Sequence, residues 1–109
     1  MKVRNMESPR TGRPVANQFI ISDDDKLVFQ SYDSMIVTVT WEKSTTTITF
    51  GKDWDYSTTT AKYRNEFLKM YFPSLADGKK LRMLEQIVRG CGGQTEYQLG
   101  AFIYTIKFE

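Results

Sequence analysis

Hydrophobic and polar positions divide the chain into two periods. Through residues 17–50, apolar side chains recur at alternate positions or in short runs, as they do in strands. NQFIIS (17–22) and KLVFQSY (26–32) flank the acidic turn Asp23-Asp24-Asp25 and predict a hairpin. SMIVTVTWE (34–42) is rich in β-branched residues, and its alternation sets Met35, Val37, Val39 and Trp41 toward the core. After a polar turn at Lys43-Ser44, TTTITF (45–50) returns with Ile48 and Phe50 on one face. Four consecutive strands joined by short turns predict an antiparallel meander.

From Thr60 the period becomes helical, with Tyr63, Phe67, Met70 and Tyr71 along one stripe. Ser57 to Thr60 supply N-cap candidates, and Pro73 ends the helix. Ser74, three residues before Asp77, resembles a capping box for a second helix. That helix carries Leu81, Leu84 and Val88, with Met83 and Ile87 beside them, and Gly90 stops it. Beyond the Gly90-Cys91-Gly92-Gly93 loop, Phe102, Tyr104, Ile106 and Phe108 alternate with Ile103, Thr105 and Lys107, a last strand returning to the sheet. The order ββββααβ predicts an α+β fold: a four-stranded antiparallel meander, two helices packed on one face, and a final C-terminal strand. Residues 1–16 hold Pro9 and Pro14 among polar residues and read as a basic irregular arm, with residues 17–109 as a single α+β domain.

Composition changes this picture by exclusion. The 109 residues include no histidine and one cysteine, Cys91. An internal disulfide is therefore impossible, and Ser-His and Cys-His dyads and Cys/His zinc sites are ruled out. No cofactor, metal or catalytic residue is expected. The apolar runs are too short to span a membrane, and MKVRNMESPRTGRP has no apolar signal core, so an intracellular protein is expected.

The net charge of +2 is unevenly distributed. Residues 15–60 carry Asp23, Asp24, Asp25, Asp33, Glu42, Asp53 and Asp55 against three lysines, a balance of −4. Residues 61–90 are +4, and the first fourteen are +3. An acidic face suits a basic partner; a basic face suits phosphate. Asp53 and Asp55 offer two carboxylates for a cation or for acid–base work, or simply negative charge before a helix N-terminus. Lys62, Arg64, Lys69, Lys79, Lys80 and Arg82, with Arg4, Arg10 and Arg13 in the arm, are candidates for phosphate contacts or a solvated surface. RGCGG (89–93) follows a helix instead of a strand, which reads as a turn more than a phosphate loop.

VRNMESPRTGRPVANQF (3–19), FQSYDSMI (29–36) and WDYSTTTAKYRNEFL (54–68) together resemble a family of small uncharacterised proteins of phages and prophages of Gram-positive bacteria. The resemblance covers about the first 70 residues and departs from Tyr71 onward. It implies an accessory protein acting in the cytoplasm of an infected bacterium by binding and blocking a host protein. By class analogy, the leading expectation is an anti-CRISPR protein that occludes DNA or guide binding in a type II RNA-guided nuclease. The expected partner-binding residues are Asp23, Asp24, Asp25, Asp33, Asp53 and Asp55, with Tyr32, Trp54 and Tyr56 as aromatic anchors. The alternative is a nucleic-acid-binding accessory protein using the basic residues just named, and a third reading is a metal nuclease using Asp53 and Asp55.

Overall fold

The computed structural model describes the backbone of residues 1–109 and the side chains of all but Leu99. The elements are β1 (Lys2–Glu7), β2 (Pro14–Asp23), β3 (Lys26–Ser31), β4 (Ser34–Glu42), β5 (Thr45–Phe50), α1 (Thr58–Tyr71), α2 (Gly78–Gly90), β6 (Gln94–Leu99) and β7 (Phe102–Phe108), with a single 3-10 turn at Pro73–Leu75. All strands belong to one sheet of order β1-β2-β3-β4-β5-β7-β6. The α+β class follows from the sequence, but the sheet has seven strands where the pattern predicts five, and it is mixed. β1 to β5 form an antiparallel meander, β7 lies parallel to β5, and β6 closes the far side antiparallel to β7.

The two additional strands are the two edges. The stretch expected as an irregular arm, residues 1–16, holds β1 and the start of β2. Only Met6 of β1 reaches the core, so the segment shows no hydrophobic alternation to read. β6 has the sequence QTEYQL, equally poor in apolar residues. An edge strand needs little burial, because one neighbour's hydrogen bonds and the sheet's plane already place it.

One face of the sheet packs against both helices. Ile20 of β2, Leu27 and Phe29 of β3, Val37 and Val39 of β4, Ile48 and Phe50 of β5, and Ile106 and Phe108 of β7 meet Phe67, Leu68, Leu81, Leu84 and Val88 in one cluster. The strict alternation expected of β4 fails at its start. A register shift opposite Phe29 and Gln30 breaks the period, so Ile36 and Val37 are both buried while Met35 is exposed. Trp41, next to last in the strand, is also exposed. The opposite face carries Thr38, Thr40, Thr47, Thr49 and Thr105 in cross-strand register.

α1 starts as expected: Ser57 is its N-cap, its Oγ accepting from the Thr60 amide at 3.1 Å. α2 is capped by Asp77, whose carboxylate accepts from the Lys79 and Lys80 amides; Ser74 instead lies in the 3-10 turn. The expected Ser74–Asp77 capping box is thus replaced by a single Asx cap.

The chain leaves β5 through Gly51, whose amide donates to the Ile36 carbonyl at 2.9 Å. A Cβ there would lie 2.1 Å from the Met35 carbonyl oxygen. Backbone cannot yield as a side-chain tip can, so Gly51→Ala should destabilise the protein by about 3 kcal/mol in denaturant unfolding. An unchanged midpoint would show that this close approach is not required.

Candidate functional site

The candidate residues of the 53–56 segment part company once folded. Trp54 is 4% exposed and packs edge-on against Phe50 and Phe108, and its Nε1 donates to Glu85 at 3.1 Å. It is a core residue, and the expectation that it anchors a partner is corrected. Arg64, expected among the phosphate-contacting residues, is 1% exposed and also leaves the surface. Its Nη1 donates to the Trp54 carbonyl and to Asp55 Oδ1, each at 3.0 Å, and its guanidinium stacks over the Trp54 ring. Burial lowers the Arg64 pKa from its ordinary value, and the hydrogen bond and charge of Asp55 oppose that shift. Asp55 also accepts from Arg82 at 3.5 Å. Asp55 is therefore the counter-ion of a buried cation.

Asp53 and Tyr56 point the other way, toward the β3–β4 turn. There they meet Tyr32 and Asp33 around a groove of about 480 Å³, completed by Ser31, Ser34, Ile36 and Thr60. Ser34 Oγ donates to Asp53 Oδ2 at 2.9 Å and ties the two loops together. Behind this lies a hydroxyl chain: Ser31 Oγ and Thr60 Oγ1 are 3.1 Å apart, and Ser57 Oγ donates to Thr60 Oγ1 at 3.1 Å. Tyr32 and Tyr56 are 57% and 79% exposed, unusually open for aromatic side chains beside a groove.

Tyr32 holds a left-handed backbone, φ 53°, which a bulky residue adopts at a cost of about 1 kcal/mol. Two hydrogen bonds enforce it: the Tyr32 amide donates to the Asn17 carbonyl at 2.7 Å, and Gln30 Nε2 donates to the Tyr32 carbonyl at 2.7 Å. The same left-handed backbone recurs at Lys43 in the β4–β5 turn, φ 54°, so at Tyr32 it serves the hairpin and sets the direction of the ring.

A second, smaller hollow of about 350 Å³ adjoins the groove and shares Asp33, Ser34 and Asp53 with it. It adds Glu109 and Lys52, giving three carboxylates to one ammonium along the combined rim. Glu109, Ser31, Ser34 and Thr60 were not among the sequence candidates. Ser34 sits inside the FQSYDSMI motif and was within reach of inspection. Glu109 carried no signal, because only the parallel β5–β7 pairing and the hydrogen bond its backbone N–H donates to the Phe50 carbonyl bring it there.

The remaining candidates lie elsewhere. Asp23 ends β2 and Asp24 and Asp25 form the β2–β3 turn at the opposite end of β3, about 17 Å of strand away, with Asp23 near the N-terminal ammonium. Arg10 and Arg13 are exposed in the β1–β2 connection, and Arg4 donates to the Tyr71 hydroxyl. Lys69 pairs with Glu66, Lys80 donates to the Ser74 carbonyl, and Lys62 lies over the Tyr63 ring. Lys79 is exposed beside the α2 N-terminus. The basic residues thus spread over several faces. Among the described residues, no three His, Cys, Asp or Glu side chains gather where they could hold a metal ion. Among the described residues, no helix is long and apolar enough to cross a membrane.

The buried cation predicts an asymmetry. Asp55→Ala leaves Arg64 charged in the core and should cost about 3 kcal/mol. Arg64→Met removes that charge while Asp55 keeps water and Arg82, and should cost less, about 1–2 kcal/mol. Chemical denaturation of both variants checks the order; the reverse order would show that Asp55 does not serve Arg64.

Neither the curated proteins nor the solved structures provide a match to this chain. A family model does match, over residues 1–85, which takes in all three recognised motifs and continues past Tyr71 into α2. By that match the chain belongs to a family of unknown function, DUF8033.

Proposed function

We propose that this protein is a non-enzymatic binding protein whose Tyr32–Tyr56 groove grips a cationic side chain of a partner protein. The single observation that carries this reading is the convergence of Tyr32, Asp33, Asp53 and Tyr56, from segments about twenty residues apart, on one open groove. Tyrosines supply contact area at low entropic cost and a face for an arginine or lysine. Asp33, Asp53 and Glu109 supply the charge that steers such a group in. The hydroxyl chain behind them offers further hydrogen bonds at the groove's inner wall.

The resemblance to phage and prophage proteins supports a host defence protein in the bacterial cytoplasm as the partner. The most concrete member of that class is a type II RNA-guided nuclease, whose nucleic-acid channel is basic, and the protein would act there as an anti-CRISPR protein occluding DNA or guide. Direct nucleic-acid binding has less support, since Arg64 is interior and Arg82 and Lys69 have acidic partners.

Pull-down and cleavage assays with a panel of guide-loaded type II nucleases test the reading. Binding and inhibition are expected, and both should fall about tenfold or more in Tyr32→Asn, Tyr56→Ala and Asp33→Asn/Asp53→Asn variants. Asn accepts the left-handed backbone at residue 32, so Tyr32→Asn should fold at least as well as the parent. Failure to bind any nuclease would remove the defence-nuclease reading. Full affinity in the groove variants would remove the groove.

A further inference from the structure

The hydroxyl chain behind the groove stands next to an amide that the fold does not use. Gln18 is 1% exposed, and neither its Oε1 nor its Nε2 has a partner among the described residues. Burying a carboxamide without hydrogen bonds is costly, and folded proteins rarely leave one so. Its place in the sheet connects it to the groove. Gln18 of β2 is the cross-strand partner of Ser31 in β3, so the two side chains share the helix-facing side of the sheet. Ser31 in turn meets Thr60, and both residues line the groove.

The groove and its inner wall are rich in acceptors. Ser34 takes only Oδ2 of Asp53, and among the described residues no side chain pairs with Asp53 Oδ1 or with Asp33. Thr60 Oγ1 accepts from Ser57, and Ser31 and Thr60 share one further hydrogen bond. Whichever of the two donates it, lone pairs stay open on these hydroxyls. Gln18 Oε1 extends the series inward. The acceptors thus run from the rim carboxylates to an amide oxygen beside the inner wall. A lysine ammonium is a compact, strongly hydrated point charge that meets only one end of such a series. A guanidinium spreads its N–H donors over a plane, stacks on tyrosine and sheds water more readily.

We propose that the groove selects arginine over lysine, with Gln18 as the acceptor that completes it; this rests on the reading of the groove as a grip for a partner's cationic side chain. The arginine stacks on a tyrosine of the groove and keeps one edge of its guanidinium on Asp33 and Asp53. Its inner Nη reaches between the Ser31 and Thr60 hydroxyls to Gln18 Oε1, while Gln18 Nε2 turns to donate to Ser31 Oγ. Gln18 is then satisfied in the complex and unpaired in the free protein. The amide therefore weakens the free fold and strengthens the complex.

Heteronuclear NMR of the nitrogen-labelled full chain, titrated with N-acetyl-arginine amide and with N-acetyl-lysine amide, tests this. The arginine probe should bind about tenfold more tightly than the lysine probe, and it alone should shift the Gln18 side-chain amide resonances. Gln18→Met places an apolar chain of similar length in the core, so its thermal unfolding should come no lower than the parent's. Gln18→Met and, separately, Ser31→Ala should bind the two probes about equally. Equal affinity of the parent protein for both probes would overturn the inference and leave the cationic grip standing. So would an arginine preference that survives both variants. A Gln18→Met protein that unfolds below the parent would show the amide to be satisfied within the fold, with the same consequence. Binding of neither probe would remove the grip itself, and the inference with it.

Discussion

A single buried guanidinium organises the half of the molecule where the candidate groove lies. Arg64 projects from α1 into the space between the sheet and both helices, where an unpaired charge would be costly. Its Nη1 donates to the Trp54 carbonyl and to Asp55, and its plane covers the Trp54 ring. The β5–α1 connection is therefore pinned at two successive residues. With Trp54 and Asp55 turned inward, Asp53 and Tyr56 on either side are left to face outward. Gly78 belongs to the same arrangement: a Cβ there would lie 3.2 Å from Arg82 Nη1 and 3.4 Å from Arg64 Nη2. The start of α2 thus sits tightly against the two arginines that share Asp55.

The clamp divides four consecutive residues between the interior and the groove. Asp55 neutralises a core cation, whereas Asp53 is held by Ser34 at the rim of a groove. The same separation operates across the sheet. The helix face is filled by aliphatic and aromatic residues, and its polar exceptions, Gln18, Ser31, Thr60 and Arg64, lie along the side that leads to the groove. Among the described residues, Gln18 is the buried side chain whose amide atoms lack partners, and it pairs in register with Ser31 of the hydroxyl chain.

Much of the fold was legible residue by residue. The strands from β2 to β5, both helices, the Ser57 cap, the α1 stop before Pro73 and the alternation of β7 follow from period and punctuation. The edge strands were not legible, because β1 and β6 bury too little for alternation to appear. The start of β4 was misread because a register break, invisible in one strand's sequence, moved Ile36 inward and Met35 outward. Of the candidate site, Tyr32, Asp33, Asp53 and Tyr56 were legible as exposed aromatic and acidic residues in turns. Trp54 and Arg64 were not, because a tryptophan between two aspartates and an arginine on a charged helix both look like surface.

The sequence by itself determined the α+β class, the absence of histidine chemistry, and the family motifs, since these depend on local periodicity and residue type. Only the tertiary structure decided which charges are paired inside and which remain at the surface. That choice depends on which elements become neighbours: the parallel insertion of β7 beside β5 brings Glu109 to the rim, and the packing of α1 over the sheet consumes Asp55. Such pairings join residues with no fixed spacing along the chain, and the energy of a buried charge is set by those neighbours.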